Sequence, residues 1–263
     1  MTGAQAPAPG RLWEVDVLRT AAILMMVAYH AAYDVFQLAP TVDIDPFGGG
    51  WRALQVATGS TFLFVVGVSL AISNARGRAR GLRGWPLYRR HLRRAAEVAA
   101  AALLVSVVTL IALGDDYVRF GILHCIAAAM VIGPLLLPLG PWNVPLGIAV
   151  IAAGIWLDDN ASSDVPGLLV LGVNPHNGAV DWYPLLPWLG PVLIGLAVGR
   201  ALYPAGRRGP WGARLPEPRY ARALGAPGRH ALPIYLIHQP VLIALVAAAL
   251  AIAGVELSDD FFS

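Results

Sequence analysis

Seven apolar stretches, separated by short polar segments, run through the chain: Val17–Leu38, Trp51–Ser73, Ala95–Leu113, Phe120–Leu137, Val144–Leu157, Leu185–Tyr203 and Leu232–Val255. Most approach the ~20 residues that an α-helix needs to cross a hydrocarbon core. The fifth is short, about 21 Å as a helix at 1.5 Å per residue. The pattern predicts an all-α, polytopic transmembrane helical bundle of about seven spans. No repeat of the inverted transporter kind is visible between its halves.

Composition sharpens this. Apolar residues make up 57% of the 263 positions and charged residues 13%, against about 25% charge in soluble domains. A water-soluble fold of this size has too little interior to hide so much apolar surface. The uncharged Ala/Pro/Gly segment 1–10 is expected to be a flexible tail, and 11–263 a single transmembrane domain. The first apolar run is too long for a signal h-region and is read as a retained span. The single cysteine, Cys125, lies in an apolar stretch and permits no intramolecular disulfide. Its expected role is that of a small apolar residue.

Charge sets the expected topology. All 19 basic residues are Arg. Arg76, Arg78, Arg80, Arg83, Arg89, Arg90, Arg93 and Arg94 crowd the connection after the second stretch, and Arg207, Arg208, Arg214, Arg219 and Arg222 the one after the sixth. With seven spans both connections share one side, which the positive-inside rule makes cytoplasmic, together with the N-terminus and Arg11. Asp43, Asp45, Asp115, Asp116, Asp158, Asp159, Asp164, Glu256, Asp259 and Asp260 then all fall on outer segments. Without the fifth span the second Arg cluster would lie outside, so seven spans fit best. The expected location is a bacterial inner membrane, with the lipid bilayer as partner and no nucleic acid.

Titratable groups at membrane depth are costly and mark candidate sites. His30 and Asp34 are four residues apart, on one helix face. That spacing predicts a carboxylate orienting an imidazole as a general base, or else a structural pair joining helices. Arg119 opens the fourth stretch, with His124 about 7 Å deeper, and Asp181 opens the sixth beside Trp182, Tyr183 and Trp188. Asp181 reads equally well as a helix cap. His238 lies near mid-membrane between Pro233 and Pro240, which remove backbone hydrogen bonds. Depth alone allows His30, Asp34, His124 and Asp181 to share one outer layer, with His238 beneath. No metal site is expected.

The stretches R-L-W-E-V-D-V-L-R-T-A-A-I-L-M-M-V-A-Y-H, F-L-F-V-V-G-V-S-L, R-F-G-I-L-H-C-I, D-W-Y-P-L-L-P-W-L-G and G-R-H-A-L-P-I-Y-L-I-H-Q-P occur in this order. Together they make the chain resemble bacterial members of the heparan-α-glucosaminide N-acetyltransferase catalytic-domain family, among the transmembrane acyltransferases, from about Arg11 to Leu245. The resemblance implies a helical bundle that moves an acetyl group from cytoplasmic acetyl-CoA to an amino or hydroxyl acceptor, typically a sugar, on the far side. In the family's animal lysosomal enzymes an asparagine stands where His30 stands here, and a histidine tied to catalysis lies in the following luminal loop. Here that loop, A-P-T-V-D-I-D-P-F-G-G-G-W, has no histidine. Either His30 takes the acid–base role or this branch does different chemistry.

The expected catalytic set is therefore His30, Asp34, His124 and His238. Asp181, Trp188 and Arg119 are expected at the acceptor, and Arg89, Arg90 and Arg229 at the phosphates of the acyl-CoA donor, since guanidinium grips phosphate bidentately. His124 and His238 would stabilise an oxyanion or relay a proton. A proton-coupled transporter, and a haem- or quinone-binding redox protein using the same histidines, are the competing readings.

Overall fold

A computed structural model describes residues 11–163, 165–173, 180–210, 212, 216 and 218–258. The tail 1–10 and Asp164, Arg214, Asp259 and Asp260 lie outside the described residues. The described chain is helical: α1 (Trp13–Leu38), α2 (Gly49–Ala79), α3 (Gly84–Leu113), α4 (Ile122–Leu136), α5 (Asn143–Asn160), α6 (Leu185–Leu202), α7 (Ala221–Leu224), α8 (Ala226–Arg229) and α9 (Ala231–Ile252). Among the described residues the only β pairing is an isolated parallel bridge between Phe120 and Trp182. The protein is a polytopic helical membrane protein, and two compact units can be distinguished in it, Leu63–Glu217 and Trp13–Phe62 with Pro218–Ser263.

In the smaller unit α1 packs against α7, α8 and α9. Gly228 makes the closest approach: a Cβ there would stand 2.0 Å from the Asp16 carbonyl oxygen. Its N–H donates to Thr20 Oγ1 at 2.9 Å. Further along, His30 meets His238 and Asp34 meets Gln239. Contacts thus advance together on both segments, so α1 and α9 run parallel.

In the larger unit α3 and α4 run antiparallel, Tyr88 Oη donating to the Val131 carbonyl and Ser106 lying against His124. The second half of α2 packs on α6 through glycines. A Cβ on Gly67 would lie 2.1 Å from the Val192 carbonyl oxygen, and one on Gly195 2.1 Å from that of Phe64. Gly195 and Gly199 are the small-residue pair visible in the sequence, used here for backbone approach.

The fifth apolar stretch becomes a full helix of 18 residues, about 27 Å long and longer than the apolar pattern predicts. Gly133 faces Leu196, Gly140 faces Arg200, Gly147 faces Gly190 and Ile194, and Gly154 faces Pro187. Along α6 the chain therefore advances through α4 and returns through α5. The reversal occupies Leu137–Trp142, where Gly140 takes φ 59°, a conformation that suits a residue without Cβ. Buried Asn143 donates through Nδ2 to the carbonyls of Leu136 (2.9 Å) and Gly140 (3.2 Å), and Arg200 Nη1 donates to that of Leu137 (2.8 Å). These bonds satisfy carbonyls that a helix end leaves open. Six helical stretches are long and apolar enough to cross a membrane, with Ile122–Asn160 as one of them. The reversal divides that stretch in two.

Leu103, Leu104, Val107, Val108 and Ile111 on α3, and Ile237, Val241, Leu245 and Ile252 on α9, are exposed. Apolar surface of this extent suits lipid rather than water. Gly195→Val is expected to destabilise by about 1–3 kcal/mol through overpacking. Gly50→Ala, in a helix with nothing within 4 Å of the new Cβ, should be neutral or stabilise by about 0.4–1 kcal/mol. Thermal unfolding of both variants in detergent checks the contrast.

Candidate functional site

The smaller unit brings together His30, Asp34 and His238, and adds Gln239. The imidazoles of His30 and His238 meet edge to face, with ring centroids 4.9 Å apart and planes at 85°. Tyr29 lies against His30 and Tyr235 against His238, at 5.7 and 5.4 Å. Both imidazoles are tied the same way. His30 Nδ1 bonds to the Met26 carbonyl at 2.9 Å, and His238 Nδ1 to the Tyr235 carbonyl at 2.6 Å. A carbonyl oxygen only accepts, so each Nδ1 carries a hydrogen and each neutral ring has its lone pair on Nε2. His238 Nε2 is buried and has no hydrogen-bond partner among the described residues.

Here the geometry departs from the i, i+4 expectation. Asp34 does not orient His30, because Met26 takes that place. The Asp34 carboxylate, 2% exposed, accepts instead from Gln239 Nε2, at 2.6 Å on Oδ1. Gln239 was not among the expected residues. The one available signal was an amide beside His238 in an otherwise apolar span. In this neutral tautomer His238 Nε2 carries a lone pair and no hydrogen.

Beyond Asp34, at the C-terminal end of α1, a cavity of about 600 Å³ is lined by Phe36, Gln37, Thr41, Asp43 and Ser258 among others. Its polar groups and one aromatic ring are of the kind that line small-ligand sites.

The larger unit holds His124 and Asp181, and there the chemistry is structural. Backbone pairing of Phe120 with Tyr183, N···O 2.9 Å, aligns the segments before α4 and α6. Asp181 Oδ2 then accepts the Ile122 N–H at 3.1 Å, so it caps α4 rather than the helix it precedes. His124 Nδ1 accepts the Gly121 N–H at 3.2 Å, which leaves the hydrogen on Nε2, 3.4 Å from Ser106 Oγ. Ser106 in turn donates to the Val118 carbonyl at 2.6 Å. With both nitrogens engaged, His124 carries the opposite tautomer to His30 and His238 and closes a helix start.

The other expected residues are also placed. Arg119 lies over the Tyr117 ring, 5.0 Å to the centroid, and donates to the Asp115 carbonyl. Trp188 packs on Tyr183 with centroids 4.5 Å apart. Arg89 and Arg90 lie in the first turns of α3, and exposed Arg229 ends α8, donating to the Arg222 carbonyl at 3.1 Å. No group of three or more His, Cys, Asp or Glu suited to a metal occurs among the described residues.

The caps carry their own expectation. Asp181→Ala should cost about 1–2 kcal/mol of stability by uncapping α4, measured by chemical or thermal unfolding, with turnover per folded molecule retained.

A family model described as the catalytic domain of heparan-α-glucosaminide N-acetyltransferase matches residues 11–240. No curated protein and no solved structure matches the chain.

Proposed function

The chain belongs to the heparan-α-glucosaminide N-acetyltransferase catalytic family, a family of membrane acetyltransferases, and we propose that it moves an acetyl group from cytoplasmic acetyl-CoA to an amino or hydroxyl group of a small acceptor, a sugar, at the periplasmic face of the inner membrane. One observation carries the catalytic part. Two imidazoles on parallel helices touch, each has its Nδ1–H committed to a carbonyl, and among the described residues the buried Nε2 of His238 has no hydrogen-bond partner.

In this mechanism His30 Nε2 takes the proton of the acceptor N–H or O–H as that atom attacks the thioester carbonyl. A C–N or C–O bond forms, the C–S bond breaks, and the proton passes from the imidazolium to the departing CoA thiolate. His238 Nε2 serves as proton partner to His30, sharing the charge that develops on the pair. The cavity beyond Asp34 is the proposed seat of the acceptor, and Arg89, Arg90 and Arg229 the proposed phosphate contacts. The edge-to-face contact of the two rings leaves no gap for a porphyrin between them, which counts against a haem held by this pair.

Seven passes with a cytoplasmic N-terminus are part of the proposal. An even number would set the first and last spans antiparallel, whereas α1 and α9 run parallel, and the α4–α5 reversal supplies the additional crossing.

His30→Ala and His238→Ala should each lower acetyl transfer from radiolabelled acetyl-CoA by about 10²–10⁴-fold, in detergent-purified protein with unfolding curves close to the parent's. Unchanged transfer in His30→Ala contradicts its assignment as base.

A further inference from the structure

The larger unit has an apolar groove for which the acetyl-transfer reading has no use. It lies between α3 and α4, measures about 380 Å³, and is lined by Leu92, Ala96, Ala99, Ala127, Ala128 and Val131 among others. The alanines keep it open, because methyl side chains cannot fill the furrow between two antiparallel helices. From Leu92 to Ala99 is about 10 Å of helix at 1.5 Å per residue. One leaflet's share of a ~30 Å hydrocarbon core is about 15 Å, so the groove fits a length of apolar chain within a single leaflet.

One end of the groove is chemically marked. Tyr88 Oη donates to the Val131 carbonyl at 3.1 Å and joins the two helices there. Trp85, 64% exposed, lies against Tyr88 with ring centroids 6.0 Å apart. Trp and Tyr are the side chains that settle at a membrane–water interface. Arg89 and Arg93 stand at the same end, three residues before Leu92 and Ala96, hence beside them on the helix surface. Both arginines are exposed, and among the described residues neither has an ion-pair or hydrogen-bond partner. Against Arg89, Arg90, Arg93 and Arg94, α3 has a single acid, Glu97, so this end is positive. An arginine here can lay its stem along apolar surface and extend its guanidinium toward the headgroups.

This combination selects the occupant. An uncharged chain would leave the arginines without a counterion. A second copy of the protein, paired through the same groove about a two-fold axis along the membrane normal, would bring two positive ends to one level. An anionic phospholipid supplies the apolar chain and the negative phosphate in one molecule, and basic pockets between membrane helices suit such headgroups. We propose that the α3–α4 groove binds one anionic phospholipid, its acyl chain along the alanines and its phosphate held by Arg93 and Arg89. Trp85 and Tyr88 close the interfacial end. The site goes beyond the acetyl-transfer reading and does not depend on it. The two share Arg89, which that reading gives to the phosphates of acyl-CoA, so soluble coenzyme A separates a lipid phosphate from a free one.

Dioleoylphosphatidylglycerol and dioleoylphosphatidylcholine are suitable probes, since they have the same chains and differ in headgroup charge. Native mass spectrometry of the detergent-purified full chain should show phosphatidylglycerol bound at least about tenfold more tightly than phosphatidylcholine. Phosphatidylglycerol with a photoreactive diazirine in one chain should crosslink to residues 92–99 or 127–131. Arg93→Gln should reduce the preference by about fivefold and keep the crosslink. Ala96→Phe, which fills an exposed part of the groove, should abolish the crosslink, and excess coenzyme A should displace no lipid. Equal binding of the two lipids, an unchanged preference in Arg93→Gln, an undiminished crosslink in Ala96→Phe, or displacement by coenzyme A would overturn the site. So would a parent protein that gives no crosslink and forms a dimer which Ala96→Phe dissociates, since a second copy would then cover the groove. Arg93→Gln changes an exposed side chain and decides the matter even where Ala96→Phe fails to fold.

Discussion

A backbone carbonyl can accept a hydrogen bond but never donate one, and this asymmetry governs the candidate site. Met26 and Tyr235 each hold an imidazole by its Nδ1 from within the same helix. The lone pair is thereby forced onto Nε2 in both rings, on the side away from the helix backbone. Because α1 and α9 run parallel, with Gly228 allowing close approach near Asp16 and Thr20, the two rings arrive at the same level and touch. Loss of either carbonyl bond would free a ring to take the other tautomer, in which Nε2 is a donor and no base.

The same rule read in reverse explains His124. There the partner of Nδ1 is a backbone N–H, which only donates, so the hydrogen moves to Nε2. Three histidines at membrane depth look alike as letters in a sequence, and depth alone groups them. What separates them is whether the nearest backbone group is a carbonyl or an amide. For His30 and His238, inside helices, the available groups are carbonyls three or four residues back. For His124, at the third position of a helix, the available group is an unsatisfied N–H of the first turn. The proposed general-base pair and the helix cap are thus two outcomes of position within a helix.

Much of the fold was legible because a bilayer imposes length and charge asymmetry that single residues reveal: the helical class and the seven apolar stretches follow from those constraints alone. The fifth stretch looked short because Asn143, Asp158, Asp159 and Asn160 are polar, yet all four are helical in α5. Polar side chains at helix ends reach the interface or, like Asn143, bond to neighbouring carbonyls. The site was legible in part. His30, Asp34 and His238 were visible as ionisable groups in apolar runs, and they do lie together. Their pairing was not, since Asp34 is bonded across to Gln239 on another helix and not along its own. Likewise Asp181 caps α4, 59 residues earlier in the chain, a partnership that no local spacing encodes.

The tautomers themselves can be observed. Nitrogen-15 NMR of histidine-labelled protein in lipid, with signals assigned by His30→Asn, His124→Asn and His238→Asn, reports which ring nitrogen carries the hydrogen. Neutral rings protonated at Nδ1 for His30 and His238, with His124 protonated at Nε2, are the predicted result. A hydrogen on Nε2 of His30 or His238 would contradict the account, because the lone pair on which the proposed proton transfer depends would then face its own helix.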